Sequence, residues 1–468
     1  MAQRVVSLRI AAALGAAILL SSAPAQAQDT PTNDITLTLP EARQLAARAL
    51  KDGQPQIAAH LARGLLVADP KSSYAYLVLA TAEANSGQLA KARKSASKSY
   101  RYADGKPARF KAAELAAKLA YAYDSPTAAQ LWLRRAAQNA RNAQVEEQLG
   151  YDYQRVRSEN PLSFSIRGAL RPSSNVNNGA DTAFQIIDGV PLTGILSGSA
   201  QALSGTVANA DATVGYRLRS TKTSRTDISA RLFVSRVFLS GEAKSLSPTS
   251  SNSDFNSTYG AVTLSHGFAV GVNGGTAKIS GTAGQLWSGG DWYYDFARLE
   301  AARTWKLNAT NSFQLSASVE NRDITGSDTR DALAVGIVAA LSHKRASGDT
   351  LRFSINALKT SSDSVNSDST ALSLSARYSF ADKIGPAQVS AGIILGTTDY
   401  GQYFAPPIFL SDGRQDRSAF ADINLFFPDY YYAGFAPTVS LRVGRKSSNI
   451  SRFDTREFSL SVGIASKF

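Results

Sequence analysis

The sequence predicts an α + membrane β protein: an N-terminal tetratricopeptide-like (TPR-like) helical solenoid followed by a 14-stranded antiparallel transmembrane β-barrel. Three observations lead there. Apolar residues recur at helical spacing from Pro40 to Asn160 and at a spacing of two from Leu162 onward. Connections between the alternating segments are tight after even strands and mostly longer after odd ones, as in bacterial barrels. The final stretch, Asp454 to Phe468, carries Phe458, Leu460, Val462, Ile464 and Phe468 on one face and ends on an aromatic, the pattern of a closing barrel strand and its assembly signal.

In chain order, residues 1–27 read as a secretory signal peptide. Arg4 and Arg9 precede an apolar run from Ile10 to Leu20, and Ala25-Gln26-Ala27 forms a cleavage site. Eleven apolar residues fall short of the roughly 20 that a spanning helix needs. Residues 28–39 form a polar leader. Export places the following unit, 40–160, in the periplasm and the barrel, 161–468, in the outer membrane. With no Cys and three His, thiol nucleophiles, disulfides and Cys-based metal sites are excluded, and no cofactor is expected.

Helices are predicted over 41–51, 54–68, 73–85, 88–102, 107–123 and 126–141, with a connecting helix over 145–158. Gly53 and Gly87 hold equivalent places in the first two pairs, 34 residues apart, the TPR period. The third junction, at Ser125, comes 38 residues on. Such repeats stack around a groove, for which Tyr74, Tyr76, Tyr121 and Tyr123 are the candidate lining, with Trp132 beside them. The alternative is a plain helical bundle with those rings in its core.

Fourteen strands are predicted over 162–171, 202–219, 225–240, 256–270, 275–287, 291–307, 312–326, 330–345, 350–361, 369–380, 387–400, 416–428, 435–447 and 454–468. Aromatics flank the tight turns, among them Tyr216, Phe268, Trp305, Phe313, Phe353, Phe380, Phe427, Phe435 and Phe468, as an interfacial girdle requires. The alternation assigns Arg167, Arg217, Arg231, Arg298, Glu300, Glu320, Arg322, Arg352, Arg377, Asp422, Arg442 and Glu457 to the lumen. Individually they serve as charged pairs that brace the wall; together they make a mildly cationic passage.

No catalytic constellation emerges, so the chain reads as a non-enzyme. His60, His266 and His343 lack metal-ligand spacing, Ser residues lack a nucleophile elbow, and Gly271 to Gly275 reads as a hairpin turn. The 50 Lys and Arg against 37 Asp and Glu suit anionic outer-membrane lipid, and export argues against nucleic acid.

Ser173-Ser174-Asn175-Val176-Asn177-Asn178, just after the first strand, and the closing run from Ser447-Ser448-Asn449-Ile450 through Arg456 to Phe468 carry a resemblance. With the signal, short helical-repeat unit and C-terminal barrel, the chain resembles the surface lipoprotein assembly modulators, the Slam family. The resemblance implies fourteen strands and delivery of client proteins, surface lipoproteins or secreted haem- and metal-scavenging proteins, to the cell surface. It implies handover by a periplasmic chaperone and no catalytic residue; the assembly signal of the closing strand makes the barrel-assembly machinery a further expected partner. Two alternatives remain: an exopolysaccharide export channel, whose lumen should carry aromatic platforms for sugars, and a diffusion porin with a helical appendage.

Overall fold

A computed structural model describes residues 37–187, 190–271 and 274–467. The expected signal peptide, most of the expected leader, Asp188, Gly189, Val272, Asn273 and Phe468 lie outside the described residues. The chain divides into two compact units, one ending at Asn160 and one beginning at Pro161.

Among the described residues the first unit holds seven helices: α1 Leu39–Lys51, α2 Pro55–Ala68, α3 Ser73–Asn85, α4 Leu89–Tyr102, α5 Gly105–Ala122, α6 Pro126–Gln138 and α7 Ala143–Glu159. A capping box starts α1, with Thr38 and Glu41 exchanging side-chain and backbone hydrogen bonds. Each helix packs on the next, and α1 and α5 also touch α3, so first helices of successive pairs lie side by side. Alanine makes this close stacking possible: Ala46, Ala58, Ala62, Ala80, Ala92, Ala96, Ala113 and Ala120 are wholly buried.

The three pairs share one stop signal. Gly53, Gly87 and Asp124 are left-handed, with φ of 69°, 75° and 53°. After each, the next residue (Gln54, Gln88, Ser125) donates its N–H five residues back, to Ala49, Glu83 and Ala120, at 2.8 to 2.9 Å. The third junction is therefore centred on Asp124 rather than Ser125. Asp is among the few side chains that tolerate this conformation, which is why it can stand where the earlier pairs use Gly.

The second unit is a closed antiparallel barrel of fourteen strands. In chain order the strands are β1 Leu162–Ser173, β2 Phe184–Ile187, β3 Val190–Ile195, β4 Gly205–Ser220, β5 Ser224–Leu239, β6 Ser257–Val270, β7 Gly275–Ser288, β8 Asp291–Lys306, β9 Asn311–Ile324, β10 Ala332–Lys344, β11 Thr350–Ser362, β12 Ser369–Ser379, β13 Gln388–Tyr400, β14 Tyr403–Ala405, β15 Ile408–Leu410, β16 Arg414–Phe426, β17 Phe435–Ser448 and β18 Thr455–Ser466. The pairs β2–β3 and β14–β15 are separate hairpins outside the wall, absent from the sequence prediction. A short helix, α8 Gly241–Leu246, follows β5.

Hairpin registers run without a break over most neighbours, for instance Ala332↔Ser362 to Lys344↔Thr350. The closing seam differs. Among the described residues β1 meets β18 only at Gly168↔Ile464, Ala169↔Gly463, Leu170↔Val462 and Ser173↔Ser459, whereas β1 pairs along its whole length with β4. The contact of β1 with β18 thus lies in the C-terminal half of β1. The gap in the ladder falls at Arg171 and Pro172, and Pro has no N–H to contribute.

One end of the barrel carries the short connections 221–223, 307–310, 345–349, 380–387 and 427–434 and the link from Val270 to Gly275. The other carries 174–204, 240–256 and 401–413, each longer than any connection at the first end, together with the shorter 325–331, 363–368 and 449–454 and the two-residue turn Gly289-Gly290 between β7 and β8.

Candidate functional site

The wall has two chemically distinct faces. On one, large aliphatic side chains are strongly exposed all round the barrel: Ile166, Val214, Leu232, Val262, Leu299, Ile337, Ile355, Leu374, Ile393, Ile423, Val443 and Leu460 among them. Soluble monomers seldom expose an apolar patch beyond a few hundred Å². The strands, 11 to 16 residues long, exceed the roughly 9–11 needed to cross hydrocarbon on a slant. Tyr216, Phe353 and Phe380 are exposed on the same face at the tight-turn end, where Trp305 and Phe313 sit 5.6 Å apart.

The opposite face is polar, and its side chains reach one another across intervening strands. Arg352 of β11 donates to Gln314 of β9 over β10, at 3.1 Å. Arg377 of β12 donates to Asp422 of β16 over β13, at 2.8 Å. The strand between them carries Gly392, where an added Cβ would stand 2.9 Å from the guanidinium. Side chains converge on the concave side of a closed wall and diverge on the convex side, so this polar face is the interior.

All twelve residues assigned to the lumen share the polar face by register. Glu320 is buried and accepts from both Arg298 and Arg322, the latter at 2.6 Å. Arg231 makes a two-armed contact with Asp211, at 2.9 and 3.0 Å. Arg167 lies directly opposite that same Asp211 on the neighbouring strand, and Arg217 opposite Asp227. Glu457 lies 3.3 Å from Arg442 and 3.2 Å from Arg171. Glu300 stands opposite Ser280 and Ser318. Arg352 differs from most of the set: the partners it donates to, Ser342 and Gln314, are neutral, and its cross-strand neighbour is Arg377.

The interior also carries aromatic rings beside the charged residues assigned to it. Tyr259 and Phe296 stack at 5.5 Å, Tyr294 meets Phe296 edge-on at 6.2 Å, and the cations of Arg231 and Arg322 lie over Tyr259 and Tyr294. Phe420 lies under Arg442 at 4.5 Å. Glycine opposite an aromatic makes the room: a Cβ at Gly284 or Gly444 would collide with the ring of Phe296 or Phe420. The signal was available, because these rings share the parity of the arginines beside them.

At the long-loop end the connections fold over the wall. Ile187, Tyr403, Ala405, Leu410 and Ile450 form one apolar cluster, joining the β2–β3 hairpin, the β14–β15 hairpin and the β17–β18 connection. Below it Arg414, mostly buried, pairs with Asp416 and lies 3.4 Å from the centre of the Phe453 ring. Sequence periodicity carried no sign of this centre. The two motifs behind the family resemblance work here as structural clips. Asn175 and Gly179 exchange hydrogen bonds, while Asn177 donates to Ser199 and Gln201 and accepts from Leu203 N–H. Asn449 likewise joins Gln415 N–H to Gly413 C=O.

In the helical unit the four candidate groove tyrosines face different neighbours. Tyr74 donates to the Arg43 carbonyl of α1 at 2.9 Å; Tyr76 stacks on Tyr102 of α4 at 5.7 Å. Tyr121 donates to Glu159 of α7 at 2.8 Å, which pushes its hydroxyl pKa up. Tyr123 lies under Arg93 of α4 at 4.6 Å. Trp132 packs edge-on against Tyr100.

Among the described residues no group of three or more His, Asp or Glu could hold a metal ion. His266 bonds Thr226 at 2.8 Å and His343 bonds Asn311 at 2.9 Å, on separate strand pairs.

No family model matches the chain, and no curated protein matches it. Among solved structures, OccAB3 from Acinetobacter baumannii is 10% identical with a TM-score of 0.36, covering 65% of this chain and 99% of its own. An outer-membrane channel from Pseudomonas putida is 13% identical with a TM-score of 0.32, covering 64% and 94%. The type III secretion translocator chaperone SycD of Yersinia enterocolitica is 20% identical with a TM-score of 0.24, covering 26% of this chain and 85% of its own.

Proposed function

We propose that this chain is an outer-membrane translocator that delivers client proteins, surface lipoproteins or secreted haem- and metal-scavenging proteins, to the cell surface. The observation that carries the reading is the pairing of two units in one chain. One is a barrel with an exposed aliphatic belt outside and a charged interior; the other is an array of three helix pairs with a common junction. A belt of this kind is at home in hydrocarbon, and helix-pair arrays are a usual scaffold for holding peptides. The tight-turn end then faces the periplasm, where the helical unit, TPR-like in its repeat, receives the client. Free energy comes from folding of the client outside or from handover by a periplasmic chaperone.

A second reading, export of an acidic polysaccharide, is favoured by the ring cluster of Tyr259, Tyr294 and Phe296 among interior arginines. It is the weaker one, because Tyr259 and Phe296 stack on each other and leave less open ring face for a sugar. Comparing surface and medium proteomes of a deletion strain with its parent separates the two. Loss of one or a few specific proteins supports client delivery. An unchanged proteome with lost surface polysaccharide replaces it with the second reading.

A further inference from the structure

From Lys91 to Lys111 the chain carries eight cations, Lys91, Arg93, Lys94, Lys98, Arg101, Lys106, Arg109 and Lys111, and a single acid, Asp104. On α4 itself Lys91, Lys94, Lys98 and Arg101 recur every three or four residues, so they form one stripe along the helix. All four are exposed. Among the described residues no carboxylate lies within ion-pair distance of any of them; the ion pairs Arg48 with Asp52 and Lys118 with Glu114 lie elsewhere.

The stripe borders aromatic rings, and cations cover those rings. Lys98 lies 5.3 Å over Tyr76, Arg93 4.6 Å over Tyr123, and Arg135 of α6 4.4 Å over Trp132. A ring face attracts a cation without neutralising it, so the positive potential of this surface persists. With their faces occupied, the rings are poor platforms for stacking a sugar. Like charges at this spacing repel along an isolated helix, a cost that an anionic partner removes.

We propose that the α4 stripe is a docking surface for an extended acidic segment of the client protein. The stripe spans Lys91 to Arg101, about 15 Å at the helical rise, which matches roughly four to five residues of extended chain. Asp or Glu at alternate positions of that segment would present carboxylates along one edge. The identity of the partner rests on the client reading above; the chemistry of the surface does not.

The test uses the purified full-length chain in detergent and a fluorescently labelled peptide with Asp at alternate positions, followed by anisotropy. The parent should bind it, more weakly as salt rises. Lys91→Glu/Lys94→Glu/Lys98→Glu/Arg101→Glu should weaken binding by about tenfold or more, the combined effect of four exposed ion pairs. A control with the same charge change, Lys51→Glu/Arg63→Glu/Arg141→Glu/Arg157→Glu, should keep most of the affinity. Circular dichroism checks folding, and if the Glu variant unfolds, the Gln versions of the same positions take its place. No binding by the parent, or equal loss in both variants, overturns the proposal. Tighter binding of a polyuronate than of the peptide overturns it in favour of a polysaccharide. A deletion strain that exports every protein normally, with the stripe still binding the peptide, removes the client reading and leaves the surface standing.

Discussion

Single residues in this wall matter where they settle more than one neighbour. Glu320 is 4% exposed and neutralises two arginines. Glu320→Gln leaves both guanidinium groups facing each other across a shared amide. Because Arg298 and Arg322 keep water on their outer sides, the expected cost is about 1–3 kcal/mol rather than that of a fully buried pair. It should appear as a lower temperature for unfolding of the compact band on unheated gels, with Glu300→Gln as the milder comparison. Asp349, in the β10–β11 turn, accepts hydrogen bonds from the Tyr378 hydroxyl, Ala381 N–H and Ser347 hydroxyl. The first of these is the largest reason that its carboxyl pKa falls from 3.8 to about 2. A depressed carboxyl stabilises the fold fully above its unfolded pKa and loses that contribution as pH falls through its folded one. Stability of the tight-turn end should therefore decline between about pH 4 and pH 2. Asp349→Asn should flatten the change across that window in an acid titration followed by intrinsic fluorescence; an undiminished slope would remove Asp349 as its source.

At the scale of elements, the wall was legible because each strand separates two media and repeats the distinction every second residue. All fourteen strands were located from that alternation, with ends displaced by a few residues, as in β4, predicted from 202 and observed from Gly205. The hairpin β14–β15 and the Arg414 centre were not legible. Their burial comes from loops packing on loops, which leaves no period in the sequence. Tyr259, Tyr294 and Phe296 were legible, because they fall on the interior parity of their strands. The third helix-pair junction was obscured because Asp124 does the work of Gly53 and Gly87. Closure of the barrel depends on a different glycine. A Cβ at Gly463 would stand 2.4 Å from the Gly168 carbonyl oxygen and 3.1 Å from the Ala169 side chain, both across the seam. Gly463→Ala should therefore prevent or loosen closure, whereas Gly267→Ala, whose nearest contact would be 3.7 Å, should not. Heat-modifiable mobility of the two variants reads the difference; equal folding would mean that the seam yields without penalty.

On the proposed client reading, the question for the molecule as a whole is which boundary would give way. At the long-loop end the loops interlock. Gly179 and Gly198 have backbone carbonyls so near that any Cβ would collide, with Gln201 and with Leu246, and Ile450 is wholly buried. The wall elsewhere is laced by long ladders, but the β1–β18 seam is held at four residue pairs among the described residues. If a client needs more room than the interior provides, this is the pair of wall strands with the fewest ladder partners to separate, braced besides by Arg171 and Glu457. Leu170 and Val462 are direct partners there, on the apolar face. Directly opposed antiparallel positions have Cα atoms about 4.5–5.5 Å apart, within reach of a disulfide. With no native cysteine to compete, Leu170→Cys/Val462→Cys can be oxidised selectively. Export should stop in the oxidised protein and recover on reduction, while each single variant exports normally. Unimpeded export through the locked seam would instead assign the path to the interior and require the loops over the Arg414 centre to move.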